Sequence, residues 1–214
     1  MALNQELSAL KSSFHGTVPK EVSQVILKSA EELQSIFDST KVVQVGAELP
    51  SFTMPDATGK SITSSSLLAS GPILISFYRG DWCPYCNIEL RALQKRLPDF
   101  KAKGVTLVAI TSQLPDTTFT SVEKHSLEFS VLSDVGNKFA RQLGLVHRQP
   151  EGIIRFHTGR GIDYKTQYGD KSYEIPFPAT ILVDAKGVVR NTYVDPDITK
   201  RLEPDTALEW VAAL

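Results

Sequence analysis

Pro72-Ile73-Leu74-Ile75-Ser76-Phe77-Tyr78-Arg79-Gly80-Asp81-Trp82-Cys83-Pro84-Tyr85-Cys86 is the stretch that decides the fold. It opens as an apolar run of strand length and closes in a Cys-x-x-Cys, after which Leu90, Leu93 and Leu97 recur at helical spacing. A strand that feeds a helix in this way sets both sulfurs on the first turn of the helix. There the helix dipole and the free backbone N–H groups favour thiolate. The window holds the only two cysteines of the 214-residue chain, so a redox use of the pair is the first expectation.

Outward from the window the pattern alternates. A helix is expected from about Pro84 to Leu97, with Pro98 and Gly104 bounding the connection to a second strand, Val105-Thr106-Leu107-Val108-Ala109-Ile110. A helix after Asp116, the short run Val131-Leu132 and a helix around Asn137–Leu143 follow. Such alternation predicts a mostly parallel sheet with helices on its faces. Ala179–Val183 and Val188–Tyr193 read as two further strands, made antiparallel by the hairpin turn Asp184-Ala185-Lys186-Gly187. Pro204 opens a last helix with Ala207, Leu208 and Val211 as its buried stripe.

The flanks are less regular. Residues 150–178 are polar and Gly-rich and read as a long loop or insertion, of the kind that often lines a site. Residues 41–71, punctuated by Pro50, Pro55, Gly59 and Gly71, read as loops and short strands. Before them Val22, Val25, Ile26, Leu33, Ile36 and Phe37 mark one helix, with Pro19 in its first turn. The expected organisation is an N-terminal helical extension over 1–40 and an α/β domain over 41–214, with a central mixed sheet flanked by helices.

Composition narrows the function. Hydrophobic residues make up 42% and charged residues 22%, enough for a core that needs no covalent staple. The net charge of −1, with no Lys/Arg block, argues against a nucleic-acid partner. No stretch approaches the ~20 apolar residues of a membrane span. Met1–Glu6 lacks a positive region followed by an apolar one, so a cytoplasmic location is expected. In that compartment a vicinal cysteine pair is more often catalytic or metal-binding than a structural disulfide.

The same residues admit other uses. A zinc site needs four ligands, and beyond the cysteines only His125, His147 and His157 and the carboxylates lie downstream; no second Cys-x-x-Cys or His-x-x-x-His exists. No metal and no cofactor are therefore expected. Two inert buried thiols in a non-catalytic binding module are another alternative. Arg79 either lowers a thiolate pKa or forms a surface ion pair. Trp82 and Tyr85 either shield the thiols or pack at the sheet edge. Thr111-Ser112-Gln113 ends the second strand on the same edge and either lines the pocket or caps the next helix.

Strand, Cys-x-x-Cys, helix, and a later proline entering an antiparallel hairpin together resemble the thioredoxin fold. The lead-in Gly46-Ala47-Glu48-Leu49-Pro50-Ser51-Phe52 with Asp56-Ala57-Thr58-Gly59-Lys60 resembles the start of a peroxiredoxin domain. Phe77 through Cys86, Leu132-Ser133-Asp134, Ala179–Asp184 and Val194-Asp195-Pro196-Asp197 are similar to a peroxiredoxin-like branch of the alkyl hydroperoxide reductase/thiol-specific antioxidant superfamily. The resemblance runs from about residue 42 to the end. It implies a thiol-dependent peroxidase, an antioxidant oxidoreductase that reduces hydroperoxides through Cys83 and Cys86. The resulting Cys83–Cys86 disulfide would be reduced by a thioredoxin- or glutathione-type donor. A thioredoxin-like disulfide or small-molecule oxidoreductase is the alternative.

Against the family pattern Pro-x-x-x-Thr-x-x-Cys, Cys86 falls on the attacking cysteine, Cys83 on the threonine and Arg79 on the proline. Pro178 stands where the family has an arginine, and resembles the cis-proline of thioredoxins. Two mechanisms follow, one with Cys83 attacking and Cys86 resolving, the other reversed. Cys83 is favoured because the first cysteine of such a motif is usually the more exposed. Thioredoxin-fold peroxidases commonly dimerise, so a homodimer is expected. The N-terminal helix would then either cover its own domain or pair with another subunit.

Overall fold

The N-terminal extension holds two helices where the periodicity points to one: α1 (Leu3–Thr17) and α2 (Lys20–Ile36), in a computed structural model that describes residues 2–214, the side chains of residues 119–121 and 124 excepted. Pro19 is the N-cap of α2 and not part of its first turn. The sparse apolar face of α1 hides it from a periodicity search, since only Leu3 and Leu7 are buried, against Ile88. β1 (Thr53–Pro55) and β2 (Ser61–Thr63) form a small antiparallel pair. Thr63 then starts α3 (Ser64–Leu68) with a reciprocal capping box to Ser66.

The central sheet begins with β3 (Ile73–Phe77), α4 (Pro84–Ala102), β4 (Thr106–Thr111), α5 (Pro115–His125) and β5 (Ser130–Ser133). β3, β4 and β5 pair in parallel, as strands joined by helical crossovers must. Every side chain of β3 is buried, and the strand's two-residue period sorts them. Ile73, Ile75 and Phe77 pack with Val108, Ile110 and Ile181, while Leu74 packs with Leu90, Leu93 and Leu97 of α4.

α4 continues through Pro98 to Ala102 instead of ending near Leu97. A proline inside a helix costs about 3 kcal/mol. Leu97 and Phe100, 2% and 0% exposed, hold the chain on either side of it. Burying each of them is worth about 1.5–3 kcal/mol, which offsets the proline.

Residues 150–178 are not a loop. After α6 (Lys138–Gln142) and β6 (Val146–Arg148) come α7 (Glu151–Gly159), α8 (Tyr164–Tyr168) and β7 (Glu174–Pro176), and β7 pairs antiparallel with β6. The helices are short and bury their residues against each other and the cysteine loop, which leaves a composition that looks irregular. β8 (Ala179–Val183) and β9 (Val189–Val194) form the expected hairpin, and α9 (Pro204–Ala212) buries Ala207, Leu208 and Val211.

The five central strands lie in the order β5-β4-β3-β8-β9, with β8 antiparallel to β3. α4 and α9 cover one face and α3 and α6 the other, the thioredoxin-like α/β arrangement. α1 packs along α4 and α2 along α7, so the extension covers its own domain. Among the described residues no helix is long and apolar enough to cross a membrane.

Candidate active site

β3 hands the chain to α4 through Tyr78-Arg79-Gly80-Asp81-Trp82. Cys83 is the N-cap of α4 and Pro84 its first residue, where a missing N–H removes no helical bond. Cys86 lies on the same first turn. Both are free thiols and both are buried, at 1% and 0% exposure, so greater exposure is not what distinguishes Cys83.

Charge distinguishes them. Burial opposes ionisation of Cys83, but a hydrogen bond from the Cys86 thiol and the positive charges of Arg79 and Arg201 bring its pKa down to about 6. Cys86 moves the other way, raised by burial and by the hydrogen bond to, and negative charge of, Cys83. Near neutral pH the pair therefore holds one proton, on Cys86. Tyr85 keeps its own proton, pushed up to about 12 by burial and by the Cys83 charge.

Arg79 is 3% exposed and lies over the Trp82 ring, with Cζ 4.9 Å from the ring centroid, rather than in a surface ion pair. Its Nε is buried without a hydrogen-bond partner. The second cation, Arg201, carries no motif that would single it out in the sequence. From the segment before α9 it places Nη2 3.5 Å from Cys86 Sγ and donates through Nε to Glu89 Oε2 at 2.5 Å. Its Nη1 donates to the carbonyls of Ile198 and Lys200, both at 2.6 Å. Glu89 sits three residues beyond Cys86 on the same helix face, the one signal that could have found it. Burial pushes Glu89 up to about 7 against the pull of Arg201.

The N-terminal extension holds this cation in place. Asn4 Nδ2 donates to the Arg201 carbonyl at 2.8 Å, and the Arg201 N–H donates to Asn4 Oδ1 at 3.2 Å. The Glu203 carboxylate accepts from the N–H groups of Leu3 and Asn4 at 2.9 and 2.7 Å, which satisfies the start of α1.

The cysteine loop is braced from α8. Trp82 Nε1 donates to Tyr168 Oη at 2.7 Å, and Tyr168 donates to the Arg79 carbonyl at 2.8 Å. Gly80 lies inside this brace, where an added Cβ would fall 2.7 Å from Trp82 Nε1 and 2.8 Å from Tyr168 Oη. Gln113 accepts the Asp81 N–H at 2.9 Å and donates to Asp81 Oδ1 at 2.7 Å. Thr111-Ser112-Gln113 is thus buried bracing rather than pocket wall.

The remaining expected residues are separated by the fold. Phe77 pairs with Ala179, so Pro178 lies at the sheet end from which the cysteine loop departs. Its peptide bond is trans, as are all others among the described residues, a correction to the cis form expected. Trans is the lower-energy form of an X–Pro bond by about 0.5–1 kcal/mol. His157 packs on Trp82, centroids 4.4 Å apart, and its Nδ1 is 2.7 Å from Tyr164 Oη. His147 stacks on Phe177 at 4.0 Å, and His125 ends α5. Burial holds both His147 and His157 neutral, down to about 3. Among the described residues no three His, Cys, Asp or Glu side chains converge as a metal site would require.

A cavity of about 490 Å³ reaches Cys83. Arg79, Trp82, Cys83, Pro84 and Tyr85 form one wall, and α1, α2 and α7 supply most of the rest. Cys83 lines it and Cys86 does not.

Residues 45–192 match the model of the AhpC/TSA family. The chain is 27% identical over 183 residues to the chloroplastic peroxiredoxin Q of Populus jackii, covering 86% of this chain and 74% of that protein. It is 30% identical over 113 residues to the thiol-disulfide oxidoreductase ResA of Bacillus anthracis, covering 52% of this chain and 64% of that one. The crystal structure of peroxidoxin BcpB from Mycobacterium tuberculosis superposes with a TM-score of 0.63 at 20% identity, over 80% of this chain and 98% of that one.

Proposed function

The chain belongs to the AhpC/TSA family and is a peroxiredoxin-like thiol oxidoreductase, and from that premise we propose that it reduces hydroperoxides with Cys83 as the attacking sulfur. The Cys83 thiolate attacks the terminal oxygen of RO–OH. The O–O bond breaks, RO⁻ leaves and takes up a proton to become ROH, and Cys83 becomes a sulfenic acid. The Cys86 thiol then displaces the sulfenic oxygen as water, forming the Cys83–Cys86 disulfide. Two electrons and two protons from a thioredoxin- or glutathione-type thiol donor restore both thiols.

The observation that carries this reading is that Cys83, and not Cys86, faces the cavity. Its low pKa supports the same order, because the thiolate is the nucleophile. Arg79 stands where it stabilises the negative charge developing on the leaving oxygen. Arg201 and Glu89 serve Cys86, the carboxyl being able to exchange protons as that thiol condenses.

A dithiol recycled by an external thiol suits the cytoplasm, where we place the protein. A homodimer would have to use faces other than those α1 and α2 turn onto α4 and α7, and sedimentation velocity reads that assembly. The competing activity is disulfide exchange, favoured by the Cys-x-x-Cys itself and by the similarity to ResA. Rates with hydrogen peroxide and with insulin disulfides discriminate the two. Peroxide turnover well above insulin reduction, lost in Cys83→Ser, supports the peroxidase; the reverse ranking overturns it.

A further inference from the structure

Resting on the peroxidase reading, we propose that the cavity between α1, α2 and α7 binds the carbon body of an organic hydroperoxide. The N-terminal extension then sets peroxide selectivity. Two of the three helices that wall the cavity, α1 and α2, lie before residue 45, where the family match begins.

Size argues first. About 490 Å³ lies within the roughly 300–1,000 Å³ of small-molecule sites, whereas a water, close in size to hydrogen peroxide, needs only about 30 Å³. Hydrogen peroxide fills only a small part of such a chamber.

The lining argues next. Leu10 and Phe14 of α1, Leu33 of α2 and Ile153 and Phe156 of α7 present hydrocarbon. The polar side chains among them are mostly engaged already. Lys11 is paired with Asp197 at 2.9 Å, His15 Nδ1 is 2.8 Å from Ser23 Oγ, and His157 is bound to Tyr164. Among the described lining residues, Arg79 Nε is buried without a partner, on the same wall as Cys83. A guanidinium and a thiolate at a single place, with mostly apolar surface elsewhere apart from Arg160 over the Phe156 ring, fit a molecule that is apolar except for one –OOH. The carbon body rests among the helices, the peroxide oxygens meet Arg79, and the terminal oxygen meets Cys83 Sγ.

The test uses cumene hydroperoxide and its inert product, cumyl alcohol, on the full-length reduced protein. Cumyl alcohol should bind wild type saturably, read by calorimetry and by tryptophan fluorescence, to which Trp82 contributes. Ala30→Trp, which places an indole in the cavity, should weaken that binding by about tenfold and lower the ratio of kcat/KM for cumene hydroperoxide over hydrogen peroxide by a similar factor. The wild-type titration needs no variant, so a misfolded Ala30→Trp does not leave the question open. Turnover of hydrogen peroxide without saturable cumyl alcohol binding would overturn the inference and leave the peroxidase reading standing. Binding of the alcohol with turnover of neither peroxide would overturn the peroxidase reading, and with it the assignment of the cavity to a hydroperoxide.

Discussion

The guanidinium of Arg201 reaches the sulfur of Cys86, with Nη2 3.5 Å from Sγ, across 115 residues of chain. The same group binds the buried carboxyl of Glu89, so one cation serves the resolving thiol and its neighbouring acid. Both side chains of that ion pair are 2% exposed. Removing one partner of such a pair typically costs about 3–5 kcal/mol, because the other charge stays buried. Glu89 can escape part of this by holding a proton. Its pKa is already raised to about 7, and losing the cation raises it further. The penalty in Arg201→Met is therefore small near pH 5, where the carboxyl is protonated in the fold, and grows as pH rises. Urea denaturation at pH 5 and pH 8 checks this; equal losses at the two pH values would contradict it.

Arg79 lowers the Cys83 pKa through space, from its position over the Trp82 ring. Alkylation of wild type by iodoacetamide should accelerate as pH rises through about 6 and then level off. In Arg79→Gln the midpoint should move up by about one pH unit, the usual scale for loss of an adjacent charge. Thiolate absorbance at 240 nm gives an independent reading. An unchanged midpoint would remove Arg79 from the site's electrostatics.

His147 is buried against Phe177 and held neutral, down to about 3 against an ordinary 6.5. The unfolded chain takes up that proton below 6.5 and the folded chain does not. The stability this group contributes is thus fully present above pH 6.5 and drains as pH falls toward 3, by about 1.4 kcal/mol per pH unit. His147→Phe should show a shallower acid limb than wild type in denaturation measured between pH 7 and 4.5. A parallel acid limb would mean that the ring is protonated in the fold.

Asn4 clamps the backbone of Arg201 from both sides. Asn4→Ala removes three side-chain hydrogen bonds, two to the Arg201 backbone and one to the Glu203 carboxylate, of about 0.5–1.5 kcal/mol each, so a loss of about 1.5–4.5 kcal/mol is expected. Hydrogen exchange should quicken in the segment around Arg201 and leave β3 and β4 unaffected. Exchange that is unchanged around Arg201 would show that the extension does not hold the site.

The sheet is legible in the sequence because its strands are nearly continuous apolar runs bounded by Gly and Pro, as in Ile73–Phe77 and Ala179–Val183. The cysteine window is legible because spacing and position carry its chemistry. What escapes is nonlocal. Arg201 matters through a contact with Cys86 that no local pattern marks, and Asn4 matters only through Arg201. α7 and α8 escape because a short helix that buries Tyr164, Tyr168 and His157 against a loop has no long apolar stripe. Pro98 misleads because the stop it marks locally is overridden by the burial of Phe100. Exposure misleads in the choice between the cysteines; burial removes it, and charge decides in its place.

The order of attack is open to one direct measurement. Reduced Cys86→Ser and Cys83→Ser variants are each treated with limiting hydroperoxide in the presence of dimedone, and the adducts are located by mass spectrometry. Cys83 in the Cys86→Ser variant should be labelled rapidly as a sulfenic acid, while Cys86 in the Cys83→Ser variant stays largely unlabelled, because it lies away from the cavity and its burial still opposes ionisation. Labelling of Cys86 as fast as or faster than that of Cys83 would contradict the assignment of Cys83 as the attacking sulfur.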